Sequence, residues 1–231
     1  MNDAEKALVG QAAADEVQPG MVLGLGTGTT TYFFLRALGE RIRGGLSVSG
    51  IPTSNRTGDL AKHFGIALTT FDERQSLDLA VDGADEVDPE LRLIKGQGGA
   101  LLREKLIARA ARRRIYIVDS GKLSPSLGTH SRLPVEVIPF AWRLAELGLR
   151  ALGCEPELRP REPGQRNGHP YCTDNGNYIL DCSVQPADPR QLEDAINRVP
   201  GVVENGLFIG LTDELIVGRA GQIERLLPPT H

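Results

Sequence analysis

The stretch MVLGLGTGTTTYFFLRALGERI, residues 21–42, restricts the fold more than any other part of the chain. An apolar run leads into alternating glycines at Gly24, Gly26 and Gly28. Hydroxyl residues follow, and then a helix-forming run. A buried strand that turns through glycines straight into a helix is the first half of a βαβ unit, and its next strand must lie parallel to it. The rhythm repeats. LSVSGIPTS reads as a strand, NRTGDLAKHFG as a helix and IALTTF as a third strand. LDLAVDGAD and LRLIKG are further apolar runs with polar ends, GALLREKLIARAARR is helical, and IYIVDSGK is one more strand. This alternation predicts an α/β fold with a doubly wound, mostly parallel sheet, whose ligands sit beyond the carboxyl ends of the strands.

The second half changes rhythm. LPVEVIPF reads as a strand, AWRLAELGLRALG as a helix, EPELRPR as a strand, YCTDNGNYILDCSV as a hairpin, DPRQLEDAINRVPG as a helix and VVENGLFIGL as a strand. If one hairpin arm pairs with EPELRPR, the order becomes β-α-β-β-α-β, a smaller ferredoxin-like α+β domain. The expected boundaries are 1–131 for a Rossmann-like catalytic domain and 132–206 for the smaller domain, which would serve in assembly. Residues 207–231, through DELIVGRAG, would add a strand back to the first domain. RPREPGQRNGHP, rich in Pro, Gly and charge, reads as an exposed loop.

Composition excludes several classes of function. A net charge of −4 gives no overall pull toward nucleic acid or anionic membrane. The basic run ARAARRR reads as a solvated helix end. No apolar run approaches the ~20 residues of a membrane span. The charged start MNDAEKALVG lacks a signal-peptide apolar region, so a cytoplasmic location is expected. Cys154, Cys172 and Cys182 show no metal-ligand spacing. Around a two-residue turn at Asn175-Gly176, Cys172 would face Ile179, which puts Cys182 on the opposite face and argues against a disulfide between the two. The four histidines are scattered, so no metal site is expected.

The glycine loop admits several ligands. A P-loop needs a lysine that is absent here. A dinucleotide site needs a third glycine where Thr29 stands, and an acid where the second strand ends in Ile51, Pro52, Thr53 and Ser54. The same missing acid weighs against a methyltransferase loop. Thr27, Thr29 and Thr30 beside the N–H groups of a helix start suit a small anion such as a phosphate monoester. A tight turn with a threonine cap is the plain structural alternative.

The stretch LAVDGADEVDPELRLIKGQGGALLREK shifts the balance. Asp82 and Asp85 follow a buried strand, Lys95 ends the next apolar run, and Glu104 lies in the first turns of a helix. Each alone reads as a cap or a surface charge. Gathered at strand ends in one parallel sheet, they make an acid–base pair with an ammonium for a developing oxyanion, which suits proton transfer beside a carbonyl. Lys122 in VDSGK ends another strand and adds positive charge to the same edge.

GLGTGTT, VDGADEVDP, IKGQGGALLREK, VDSGK, LPVEVIPFAW, TDNGN and PGVVENGLF lie in order over nearly the whole chain and resemble the type A ribose-5-phosphate isomerases. That resemblance implies interconversion of ribose 5-phosphate and ribulose 5-phosphate in the non-oxidative pentose phosphate pathway, with no cofactor, by a homodimer or larger assembly. It implies that Thr27, Gly28, Thr29 and Thr30 bind substrate, and that Asp82, Gly83, Ala84 and Asp85 line the sugar, with Asp82 assisting ring opening. Lys95, Gly96, Gln97 and Gly98 would hold the reacting end, with Glu104 as the base between C1 and C2. Lys122 matches a substrate-contacting lysine, and Lys6 in AEKALVG one associated with the phosphate. Gln97 stands where glycine is common, and RPREPGQRNGHP is longer than the usual connection. A methyltransferase on a related sheet and a sugar-phosphate sensor are the rival readings. The sensor would need a DNA-binding module, for which the first 20 residues leave no room.

Overall fold

The computed structural model describes residues 3–162, 169–184 and 188–229. Helix α1 (Asp3–Asp15) precedes β1 (Val22–Leu25), α2 (Thr29–Arg43), β2 (Ser49–Pro52), α3 (Asn55–His63), β3 (Ala67–Leu68) and β4 (Leu77–Asp82). The short strands β5 (Glu86–Val87) and β6 (Leu93–Ile94) follow, then α4 (Leu101–Ala110) and β7 (Ala111–Asp119). Next come β8 (Leu133–Val137), α5 (Trp142–Ala151), β9 (Glu155–Leu158), β10 (Tyr178–Ser183), α6 (Pro189–Asn197) and β11 (Val202–Asn205). The last elements are β12 (Leu207–Phe208), β13 (Glu214–Arg219) and β14 (Gln222–Leu226).

The large sheet has the order β14-β13-β7-β4-β1-β2-β3, and every neighbouring pair is parallel except β13 with β14. The chain runs outward from β1 to β2 and β3, then returns to β4 on the other side of β1. Such a reversal opens a crevice at the carboxyl ends of the two central strands. β4 is buried along nearly its whole length, as expected of a strand covered on both faces. On one face Val9, Phe34 and Leu38 pack against Leu79 and Ile115. On the other Ile107 of α4 packs with Ile51 and Ala80. A Cβ on Gly10 would lie 2.7 Å from the Phe34 amide nitrogen, so α1 rests directly on the backbone of α2. Arg41, near the end of α2, donates to the carbonyls of Ala14 and Val17. The two helices therefore run the same way, and Lys6, one turn before Gly10, is level with the start of α2.

The second sheet, β11-β8-β10-β9, is antiparallel throughout. With α5 and α6 it forms the expected β-α-β-β-α-β unit around Val135, Leu149, Leu180 and Ile196. Among the described residues no helix is long and apolar enough to cross a membrane.

Four local expectations are corrected. LRLIKG is not a strand of the parallel sheet. β6 belongs to a separate antiparallel sheet, β12-β6-β5. VVENGLF breaks into β11 and β12 at Gly206, where a Cβ would sit 2.3 Å from the Lys95 carbonyl oxygen. The arginine run is not a helix end, because α4 stops at Ala110 and Arg112, Arg113 and Arg114 open β7. Arg113 pairs with Glu16 at 2.9 Å and Glu214 at 2.6 Å, and Arg114 grips Asp213 at 2.6 and 2.7 Å. Carboxylates brought in by tertiary packing, rather than a helix dipole, answer those charges.

The hairpin is also absent in the expected form. Arg159 lies between its two arms, donating its N–H to Ile179 O and accepting from Tyr171 N, both at 2.9 Å. A buried carboxylate shapes the turn. Glu136 Oε1 accepts from Thr173 Oγ1, Asn175 Nδ2 and Asn177 Nδ2 at 2.9–3.0 Å. All three cysteines are free thiols. Residues 163–168 of the charged loop, and His231, lie outside the described residues.

Candidate active site

The crevice between β1 and β4 is closed at its base by direct contact. Gly26, just past β1, lies so near Asp82 that a Cβ would stand 2.2 Å from Oδ1 and 2.6 Å from Cα. Only glycine fits there. The approach lets Asp82 Oδ1 accept from Thr27 N at 3.1 Å and Gly83 N at 2.8 Å, which leaves Oδ2 for Lys95 Nζ at 3.0 Å. Lys95 enters from β6, where its N–H bonds to Gly206 O at 2.9 Å. Its ammonium also donates to Gly83 O at 2.6 Å and meets Glu104 Oε1 at 3.3 Å. Asp82, Lys95 and Glu104 are only 6%, 2% and 5% exposed. Glu104 Oε2 is buried with no hydrogen-bond partner. Glu104 lines a small cleft together with Gly26, Thr53, Asp82, Ile107 and Tyr116.

Burial dominates the electrostatics. It pushes the Glu104 carboxyl up to about 8: Lys95 draws it down, while Asp82 and Asp85 push it further up. Burial likewise raises Asp82 against the opposing pull of Lys95. Burial works against the Lys95 ammonium too, but Asp82 and Glu104 outweigh it and hold Lys95 above the ordinary lysine value. The outcome is a firmly charged lysine between two carboxyl groups that resist ionisation. A helix start lowers a carboxylate and a closed pocket raises it; for Glu104, the pocket prevails.

The opposite wall is the Thr-rich loop. Helix α2 is capped by Gly28, at φ 135°, with no side-chain cap, so its first N–H groups are left for another acceptor. Thr29 and Thr30 stand at this start, Thr29 exposed and Thr30 half-buried. Thr27 departs from expectation. Its hydroxyl lies 2.7 Å from Thr53 Oγ1, 2.8 Å from Ser54 Oγ and 2.9 Å from Thr57 Oγ1, and its one hydrogen is donated to Ser54. Thr27 braces the loop against α3 rather than offering a hydroxyl to an anion. The plain alternative of a threonine-capped turn also fails, because the cap is glycine.

On the third side, Asp85 Oδ2 accepts from Gln97 N at 2.9 Å. A Cβ on Gly98 would lie 3.7 Å from the Thr27 methyl, so the KGQGG loop lies beside the Thr-rich loop. Gly83 and Ala84 connect the two aspartates, and Gly96 turns the chain at φ 103°. Lys122 closes a short 3-10 turn beyond β7 at the same sheet edge. Lys6 pairs with Asp3 of its own helix at 3.3 Å, level with the first turn of α2. Asp82, Lys95 and Glu104 are thus brought into contact, with Asp85 and the glycines at the rim and the two outer lysines on the flanks. Sequence reasoning missed Tyr116 and Phe208, whose rings lie 5.7 and 5.5 Å from Lys95 Nζ, because both sit in apolar runs that read as plain core.

The fold and site together define an α/β protein built for proton transfer on a small anionic molecule: a buried base, an ammonium beside it, and an open helix start opposite. The sequence profile of ribose 5-phosphate isomerase A (phosphoriboisomerase A) matches residues 49–222. The chain is 50% identical over 228 residues to the ribose-5-phosphate isomerase A of Gloeobacter violaceus, covering 98% of this chain and 97% of that protein. Among solved structures, it superposes with a TM-score of 0.93 on ribose 5-phosphate isomerase A from Methanocaldococcus jannaschii, at 42% identity over 98% of this chain and 100% of the other. The same TM-score and coverage, at 40% identity, hold for a D-ribose-5-phosphate isomerase in complex with phospho-erythronic acid. The chain belongs to the ribose 5-phosphate isomerase A family.

Proposed function

We propose that this protein interconverts D-ribose 5-phosphate and D-ribulose 5-phosphate by proton transfer through an enediolate, as a step of the non-oxidative pentose phosphate pathway. The observation that carries this is the buried, unpartnered Oε2 of Glu104 beside the Lys95 ammonium. A buried carboxylate oxygen with no other protein partner can take a proton from carbon. Glu104 moves the proton between C1 and C2, and Lys95 stabilises the oxyanion that forms. Asp82, tied to the same ammonium, assists ring opening and moves the proton between oxygens. Gly83, Ala84 and Asp85 line the sugar, and Gly96, Gln97 and Gly98 hold its reacting end. Thr29 and Thr30, with Gly28, the open helix start and Lys6, hold the phosphate, and Lys122 contacts the substrate from the rim. Thr27 serves through its backbone and its brace to α3. The domains are read as 1–131 completed by 207–231, and 132–206.

Turnover in heavy water tests the chemistry. Glu104 exchanges its proton with solvent while the enediolate waits, so deuterium should enter the carbon-bound positions of the sugar phosphate pool. Turnover with no such deuterium, even after prolonged equilibration, points to a hydride shift and removes Glu104 from its role. Free ribose should react orders of magnitude more slowly in kcat/KM, since each charge-assisted bond to the phosphate is worth about 1.5–3 kcal/mol.

The assembly is read as a homodimer or larger, in the cytoplasm. Phe140, Leu144 and Leu147 form an exposed apolar stripe along the start and outer face of α5, with Phe140 98% exposed. Such a stripe suits contact with a second copy of the chain. Leu144→Glu should lower the oligomeric mass in sedimentation if this face carries the contact.

A further inference from the structure

The smaller domain reaches across to the catalytic loop through one side chain. Arg159 leaves β9 and packs against β10, where Asp181 grips its guanidinium in a two-bond fork at 2.8 and 2.5 Å. Its backbone is held on both sides, by Ile179 O and Tyr171 N. The remaining nitrogen, Nη1, donates to Gly96 O at 3.2 Å and Gln97 O at 2.9 Å, both in the loop that follows Lys95. Tyr171 lies under the guanidinium at 5.7 Å and brings its hydroxyl to 3.5 Å from Gly98 O. A Cβ on Gly99 would sit 2.2 Å from that hydroxyl, so the loop is shaped against the ring.

The direction of these bonds matters. In a trans peptide the C=O and the next N–H point opposite ways, and no cis peptide occurs among the described residues. Drawing the carbonyls of Gly96 and Gln97 toward Arg159 therefore turns the N–H groups of Gln97 and Gly98 away from it. Gln97 N–H lands on Asp85 Oδ2. By the same geometry, Gly98 N–H is turned away from Arg159.

We infer that Arg159 is a positioning residue of the reaction. From the smaller domain, it orients the peptide groups of the Gly96–Gly98 loop so that Gln97 N–H reaches Asp85 and Gly98 N–H is left for the reacting end of the sugar. It touches no substrate atom; Asp181 aims it, and its two carbonyl contacts transmit its position. This inference rests on the isomerase reading. It also gives a use to the first residue of the long charged connection RPREPGQRNGHP. The two ends of that connection pair through Arg161 N and His169 O at 2.9 Å, which steadies the Arg159 backbone.

The fork and the double carbonyl contact need a planar guanidinium, which a lysine cannot reproduce. Arg159→Lys and Arg159→Ala should therefore both lower kcat, by up to about 100-fold, since a misplacement of about 1 Å transmitted from outside the chemistry can cost that much. KM for ribose 5-phosphate should change little, because the phosphate grip lies on the other wall. Phospho-erythronic acid, a carboxylate analogue of the enediolate, should bind more weakly by a factor close to the fall in kcat. Guanidinium ion at a non-denaturing concentration should restore part of the kcat of Arg159→Ala. Asp181→Asn keeps the packing and loosens the aim, and should give a smaller loss of the same kind. Both Arg159 variants retaining wild-type kcat would overturn the inference, as would a loss that tracks only the folded fraction in thermal unfolding and is not relieved by guanidinium. Failure of the wild-type chain to turn over ribose 5-phosphate would instead overturn the functional reading beneath it.

Discussion

Replacing Glu104 with glutamine should remove a specific bend from the pH profile, and the burial of that carboxyl should set the bend well above the ordinary carboxylate range. A base must be ionised before it can accept a proton. With its carboxyl pushed up to about 8, Glu104 is ionised in only about one molecule in a hundred at pH 6 and one in ten at pH 7. The wild-type kcat/KM should therefore climb about tenfold per pH unit through this range and level off beyond pH ~8. A carboxylate at its ordinary value would leave the profile flat there. The substrate's own phosphate titrates near pH ~6 and adds a lower bend, which Glu104→Gln should retain while losing the upper one and about 10²–10⁴ of rate. Initial rates from pH 5.5 to 9.5 for both enzymes separate the two bends. The same shift acts on stability. Because the folded pKa lies above the unfolded 4.5, the contribution from Glu104 is fully present below pH 4.5 and is lost as pH rises through about 8. At 1.36 kcal/mol per unit the loss is at most about 5 kcal/mol, and Glu104→Gln should flatten that decline in urea unfolding. A wild-type profile flat from pH 6 to 9, or an upper bend that survives in Glu104→Gln, would refute the reasoning.

Three further outcomes follow from the geometry. Lys95→Ala, if folded, should lose about 10²–10³ in kcat, the usual cost of removing an oxyanion donor; unchanged kcat would make Lys95 a structural ion. Gly26→Ala should cost about 1–3 kcal/mol in denaturation, since its Cβ would run into Asp82, whereas at Gly83 the nearest atom is 3.9 Å away and alanine should be tolerated. Lys105 is fully buried between Glu193 at 3.1 Å and Glu204 at 2.8 Å, so Lys105→Met should destabilise by about 3–5 kcal/mol; adding Glu193→Gln and Glu204→Gln should recover most of that in the same unfolding assay.

Much of this site was legible because its residues stand where local pattern and topology coincide. Gly24 and Gly26 follow an apolar run and precede a helical one, so a turn at a strand end was readable without coordinates. Asp82 follows the strand residues Leu77–Val81, four of them apolar, and could only end on the same edge. Lys95 was placed correctly for an incomplete reason. The expectation put it at the end of a parallel strand, but it arrives from an antiparallel pair with β12, formed with a segment more than a hundred residues away. Distant pairing of this kind leaves no periodic trace. The same holds for Arg112–Arg114, whose helical spacing with Arg109 hid the start of β7, where Glu16, Asp213 and Glu214 come to meet Arg113 and Arg114. The turn at Asn175-Gly176 misled because its usual hairpin geometry is overridden by the buried Glu136 carboxylate, 39 residues earlier. Hydroxyls present a further limit: the sequence showed Thr27 as a donor but not that Ser54 would take its one hydrogen.

The place of β13 in the large sheet has a consequence for synthesis. It lies beside β7 in space, but it begins about 95 residues after β7 ends. At about 5–20 residues per second, a ribosome leaves the outer edge of β7 bare for roughly 5–20 s while the smaller domain emerges. A bare strand edge invites pairing with another nascent chain, and charge along it discourages this. The apolar run IYIV is preceded on that strand by three arginines, and two of them acquire partners from β13 and the residue before it only when that segment docks. The same cations therefore serve in sequence, repelling other copies while the edge waits and clamping the last parallel strand when it arrives.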